Sequence, residues 1–274
     1  IAGAAFTLDG KRHTVPTNNG ANSLHGGGDG FDKRNWAIID VDDAAFSVTF
    51  QLISPDGDEG YPGTMTVYAT YRLDNANRLA VEYSATCDAP TIVNLTNHAY
   101  WNLCGEGSGH SALDHQLTIH ASHFLPVDAN LIPTGEIREV DGSPFDFRLP
   151  RRIGDEVRNA RDRQIAAGRG YDHNWVLDGR RSLESRRIAL LDDPHSGRRM
   201  TLFSTEPGLQ FYSGNFLDGT TKGKAGHFYR MGDAIALEPQ NFPDAPNQPQ
   251  FPSCRLEPGE TYRHAIAWQF DLMD

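Results

Sequence analysis

Cysteine and lysine are sparse in this chain, and no apolar run approaches the length of a membrane span. Cys87, Cys104 and Cys254 are an odd set, far apart, with no C-x-x-C pair. That excludes a disulfide framework and reads as thiols in a reducing compartment, which favours the cytoplasm. The lysines, Lys11, Lys33, Lys222 and Lys224, are heavily outnumbered by arginines, a bias without functional weight. Acidic residues outnumber basic ones, and the formal net charge is -11. Such a surface repels phosphate backbones and anionic lipid, so nucleic acid and membrane are excluded as expected partners. Ile1 opens directly into a strand-like pattern rather than a signal peptide.

Helical periodicity is also scarce. Only Arg151 to Ala167 is expected to be helical, on a thin apolar face of Ile153, Val157 and Ile165. The dominant period is two. Phe46, Val48, Phe50 and Leu52 alternate with smaller or polar residues, and so do Met65, Val67, Ala69, Tyr71 and Leu73. Leu79, Val81, Tyr83 and Ala85 resume the pattern after Asp74-Asn75-Ala76-Asn77, a loop composition that suits a hairpin. A second hairpin is expected from Ile188 to Leu202, turning through Asp192 to Gly197. The last strand runs through His264, Ile266, Trp268, Phe270 and Leu272. The 274 residues suffice for one large core, and no repeat or linker divides them. The expectation is a single all-β domain over residues 1–274, with packed antiparallel sheets and chemistry on long loops.

Several cofactor motifs fail on inspection. Gly26-Gly27-Gly28 lacks the Lys-Ser/Thr and βαβ setting of a phosphate loop. In Asp56-Gly57-Asp58-Glu59-Gly60 the glycine falls too early for a calcium loop, so a tight turn is expected. His110, His115, His120 and His123 have neither the spacing nor the companions of a zinc site, so no metal is expected.

What the chain does hold is acid–base chemistry. Glu238 ends the apolar run Ala234-Ile235-Ala236-Leu237, so a strand delivers a carboxylate to the interior. A buried unpaired carboxylate is costly and signals a partner or a task. His98 precedes Tyr100 and Trp101. Alone it would read as a core histidine, but Asn94, Asn97 and Asn102 around it suit sugar hydroxyls, because amides donate and accept. His25 sits before the glycine run, where backbone can approach a ligand closely. Asp172, between aromatics in Tyr171-Asp172-His173-Asn174-Trp175, suits paired hydroxyls and suits a plain turn equally well.

Taken together and in order, these segments resemble the galactose mutarotase, or aldose 1-epimerase, family. The resemblance runs from Phe6 to the C-terminus. It rests on Asn22-Ser23-Leu24-His25-Gly26-Gly27, Asp58-Glu59-Gly60-Tyr61-Pro62-Gly63 and Asn94-Leu95-Thr96-Asn97-His98. Leu131-Ile132-Pro133-Thr134-Gly135, Phe145-Asp146-Phe147-Arg148 and Tyr171-Asp172-His173-Asn174 follow. Pro207 to Asn215 and Glu238-Pro239-Gln240-Asn241-Phe242-Pro243-Asp244-Ala245 complete it. It implies a large antiparallel β-sandwich and interconversion of the α and β anomers of hexoses such as galactose and glucose. It further implies Glu238 as general base and His98 as general acid. His25, Asp172 and Gln210 match sugar-holding positions of the family, Tyr100 lies in the same pocket segment, and Asn22 is expected to join them in binding substrate. The chemistry itself asks for an ionised Glu, a protonated His and no cofactor. A carboxylate near His98 is expected to favour the imidazolium.

The resemblance also implies that opening strands and a sugar-contacting arginine precede Ile1. Residues 1–274 alone are then expected to be poorly soluble or to bind sugar weakly. Two rival readings are a hexose-6-phosphate 1-epimerase, which needs a basic clamp absent from the matched segments, and a non-catalytic sugar-binding sandwich. The latter has no need of Glu238 opposite His98. Neither the preferred sugar nor the oligomeric state is written in these motifs.

Overall fold

The computed structural model describes residues 1–273. The chain divides into two compact units, Ile1–Leu95 with Asn241–Ala267, and Thr96–Gln240 with the chain from Trp268 onward.

The first unit is built from hairpins. Ala5–Leu8 pairs with Lys11–Thr14 through a two-residue turn, with Asp9 at φ 51 and Gly10 at φ 75. Two consecutive left-handed residues match the twist of the flanking strands, and Asp-Gly is the pair that adopts them most cheaply. The strands Ala37–Asp42, Ser47–Ser54, Met65–Leu73 and Arg78–Cys87 then form an antiparallel meander. The expected Asp74–Asn77 loop joins Leu73 directly opposite Leu79. The Asp74 carboxylate accepts from the backbone N–H of Ala76 (2.9 Å) and Arg78 (3.0 Å), which closes the turn locally. Val67, Val81 and Ala85 are buried as the period of two requires. Phe46 is not a strand residue: it sits at φ 49, exposed, one position before the strand begins.

The second unit holds His98, Asp172, Gln210 and Glu238. One antiparallel sheet runs in the order Arg138–Glu139, His123–Leu125, Asp172–Val176, Gly208–Tyr212, Ile235–Gln240, Tyr100–Trp101. Arg151–Arg152, Gln116–Ile119, Arg186–Asp193 and Arg198–Ser204 lie side by side in another, and the last two form the expected hairpin. Side chains alternate across a strand, so register decides which residues share a face. His173 and Trp175, Leu209 and Phe211, and Ile235 and Leu237 take one face, all buried. Trp175 and Phe211 pack there with Phe145, Phe147 and Tyr171 (Tyr171–Phe211 centroids 5.1 Å). The opposite face receives Asp172 and Asn174, Gln210 and Tyr212, Ala236 and Glu238, and Tyr100.

The expected Arg151–Ala167 helix is mostly something else. Arg151–Arg152 is a strand, Ile153–Asp155 a 3-10 turn, and only Arg163–Gly168 is α-helical. Asp162 explains the late start. Its carboxylate caps the N–H groups of Gln164 (2.8 Å) and Ile165 (3.0 Å), so the helix nucleates there. Ile153, Val157 and Ile165 are all buried, but along an irregular path. Among the described residues no helix is long and apolar enough to cross a membrane.

Candidate active site

Glu238 stands on Ile235–Gln240 directly opposite Gln210, and its carboxylate is almost wholly buried (5% exposed). His98 comes from the loop before Tyr100–Trp101, and two ties hold that loop against the Glu238 strand. Thr96 Oγ1 donates to the Pro239 carbonyl (2.7 Å), and Tyr100 pairs with Ala236. Between the ties Asn97 Oδ1 accepts from Ala99 N (3.0 Å), which turns the backbone at His98. The result is His98 Nε2 at 3.7 Å from Glu238 Oε1, with the imidazole 33% exposed.

Asp172 lies across the same face, where Gln210 Nε2 donates to its Oδ1 (2.8 Å). An aromatic wall completes the array. Tyr100 stacks on His98 (centroids 5.1 Å), and Tyr212 meets both edge-on at 6.4 and 6.2 Å. Tyr212 is fixed by accepting from Phe216 N at its hydroxyl (2.7 Å). Sequence reasoning missed Tyr212, although its place two residues beyond Gln210 on one strand put it on the same face.

Burial sets the proton inventory. Glu238 is pushed up to about 8, first by loss of water and then by the Asp172 charge. Asp172 is pushed up to about 6 by burial, against the pull of its Gln210 bond. His98 is held below its ordinary value of 6.5, again chiefly by burial. The expected ionised Glu beside an imidazolium is therefore corrected, because burial favours the neutral form of each group. With one proton on the pair, burial favours placing it on the carboxyl. The total is unchanged, because GluH with neutral His and Glu⁻ with HisH⁺ hold the same number of protons. What differs is the cost of separating two charges away from water.

Other expected features play different parts. Asn94 is a backbone clasp: its amide donates to Asn241 O (3.2 Å) and accepts from Asn241 N (2.9 Å). Asn102 donates to the carbonyls of His110 and Asp233, both at 2.9 Å. Two of the three amides that favoured His98 thus hold loops together. In the first unit Asn22 Oδ1 accepts from Gly3 N (2.9 Å), and His25 is exposed at φ 54. The glycine turn after His25 is filled by Glu59, which accepts from Gly28 N (2.8 Å) and Asp29 N (3.2 Å). A Cβ at Gly27 would lie 2.0 Å from that carboxylate, so glycine there serves an internal contact. The Asp56–Gly60 segment is a turn, as expected, with Asp58–Gly60 a 3-10 element. Among the histidines once weighed as metal ligands, His115 is buried and accepts from Leu103 N (2.9 Å), and His110 packs on His195.

Comparison with known proteins gives the family. The family described as aldose 1-epimerase matches residues 1–269. The galactose mutarotase of Sus scrofa is 47% identical over 272 residues, which cover 99% of this chain and 76% of that protein. The aldose 1-epimerase of Escherichia coli K12 is 39% identical, covering 98% and 76%. Among solved structures, an aldose epimerase homologue from C. elegans superposes with a TM-score of 0.89 at 32% identity, covering 100% of this chain and 80% of that one. The galactose 1-epimerase of Lactobacillus acidophilus gives 0.85 at 32%, covering 100% and 77%. The chain belongs to the aldose 1-epimerase family.

Proposed function

We propose that this isomerase interconverts the α and β anomers of hexoses such as galactose and glucose, with Glu238 and His98 as its acid–base pair. The observation that carries the reading is the 3.7 Å approach of His98 Nε2 to Glu238 Oε1 on a face that also bears Asp172 and Gln210. Glu238 takes the proton of the C1 hydroxyl while His98 protonates the ring oxygen. The C1–O5 bond breaks and C1=O1 forms. Rotation about C1–C2 presents the other face of the aldehyde. O5 then returns its proton to His98, O1 receives the one held by Glu238, and the ring closes. Every proton is returned, no electron is transferred, and no cofactor enters.

The proton inventory fits this cycle. Ring opening leaves Glu238 protonated and His98 neutral, which is the state that burial favours. The charge-separated state is needed only with sugar present, whose hydroxyls solvate both charges. Asp172, bonded to Gln210 and flanked by the Tyr100–Tyr212 wall, supports ground-state binding of ring hydroxyls. The Asp172 carboxylate on the face disfavours a 6-phosphate, although Arg169 does stand over Phe216, which stacks on Tyr212 at the far end of the wall. Sparse cysteines without C-x-x-C spacing support a cytoplasmic setting.

Polarimetry of freshly dissolved α-galactose, α-glucose, α-xylose and galactose 6-phosphate tests the reading. Accelerated decay to equilibrium rotation for a free hexose is expected. No acceleration with any neutral sugar would reject it, and a clear preference for the phosphate ester would favour the rival epimerase. Asp172→Asn is expected to raise KM about tenfold with kcat little changed, because the hydroxyl contacts exist in ground and transition states alike. An unchanged KM for every sugar would remove Asp172 from the binding set. For Asn22 and His25 the resemblance supports sugar contact, and a raised KM in His25→Ala would support it further.

A further inference from the structure

Asn174 has a buried amide that nothing else uses. It is 1% exposed, and neither Oδ1 nor Nδ2 has a hydrogen-bond partner among the described residues. On one side of it in the sheet stands Leu125, buried and without a polar side-chain atom. Directly opposite on the other side stands Gln210. Gln210 shares the peculiarity: its Nε2 donates to Asp172, and its Oε1 is buried with no partner. Two buried amides with unmet groups thus share one register pair and one face of the sheet. Leaving them unmet costs stability that a leucine at 174 would avoid.

We infer that Asn174 is a positioning residue of the sugar site, whose Nδ2 reaches Gln210 Oε1 across one bridging water. Cβ atoms of directly opposed residues in an antiparallel pair lie about 4.5–5.5 Å apart, close enough for one water to bridge the two amides. The inference rests on the reading of Gln210 as a sugar-holding residue. The reason for such a device lies in the amide of Gln210. Its two ends are nearly isosteric, and a half-turn would aim Oε1 at the Asp172 carboxylate. A donor fixed on Oε1 forbids that half-turn. Both hydrogens of Nε2 then face the site, one for Asp172 and one for a ring hydroxyl. His173 and Trp175, the sequence neighbours of Asn174, point into the aromatic core on the other face and cannot do this.

The test is a set of variants assayed by mutarotation and by melting. Asn174→Leu is expected to raise KM for galactose about tenfold, the scale of one lost hydrogen bond, with kcat within about twofold. Its Tm is expected to be equal or higher, since an apolar side chain of similar size ends an unmet polar burial. Asn174→Ala, which adds no bulk, should give the same KM. Gln210→Leu alone should raise KM as well, and adding Asn174→Leu to it should change nothing more. A raised KM for Gln210→Leu with none for Asn174→Leu would overturn the positioning role alone. Additive KM effects with a lowered Tm would show Asn174 to be structural and overturn it too. An unchanged KM in Gln210→Leu would reject the sugar-binding reading of Gln210 itself, and the inference with it.

Discussion

Glu238→Gln is expected to cut mutarotation by a hundredfold or more while galactose still binds within a few-fold of the parent. A glutamine keeps the shape and one acceptor of the side chain but cannot hold the C1 hydroxyl proton between opening and closure. A second consequence follows from burial. The Glu238 carboxyl has its pKa raised from 4.5 to about 8 in the folded protein. A raised acid is protonated more readily folded than unfolded, so its contribution is fully present below 4.5 and lost as pH rises through 8. The parent should therefore lose stability across that window, and Glu238→Gln should lose less. Melting curves from pH 5 to 9 give the comparison. An active variant would remove Glu238 from the chemistry. Parallel stability profiles would show that the carboxylate bears no burial cost.

His98→Ala is the second large effect: kcat is expected to fall on the order of a hundredfold, the usual scale of a lost general acid, with KM nearly unchanged. The pH profile locates the proton. The reactive pair needs one proton, so kcat/KM should be bell-shaped, falling at high pH near 8 as the single proton is lost. At low pH it should fall below the ordinary imidazole range as a second proton arrives. These macroscopic values belong to the pair. Asp172, raised to about 6, also protonates on the acid side. Asp172→Asn separates the two, because an acid limb that survives in it belongs to the His98–Glu238 pair. A rate flat from pH 5 to 9 in the parent would contradict the pair, and so would a His98→Ala enzyme with ordinary kcat.

The strands and the candidate acid–base residues were legible for a local reason. A period of two, a hairpin loop such as Asp74–Asn77 and a carboxylate closing an apolar run are all visible within a dozen residues. What failed depended on partners far along the chain. Asn94 and Asn102 looked like sugar ligands until their amides were found on the backbone of Asn241, His110 and Asp233. The glycines after His25 looked ligand-ready until Glu59 filled their turn. Asp162 moved the helix start by capping Gln164 and Ile165, which composition alone does not weigh. Tyr212 and Asn174 reach the site face only through strand register. The location of the dyad's proton was beyond reach too, because it is set by how completely Glu238 is buried.

The most direct test of acid–base ring opening is the fate of the C1 oxygen. α-Galactose labelled with heavy oxygen at the C1 hydroxyl is mixed with the protein, and the label is followed by NMR through several enzyme-driven interconversions. Opening by proton transfer between Glu238 and His98 breaks only the C1–O5 bond. The β anomer should therefore appear with its label retained and with no solvent deuterium at C1. Loss of the label in step with anomer exchange, beyond slow hydration of the aldehyde, would mean that the C1–O1 bond is broken and that Glu238 and His98 do different chemistry.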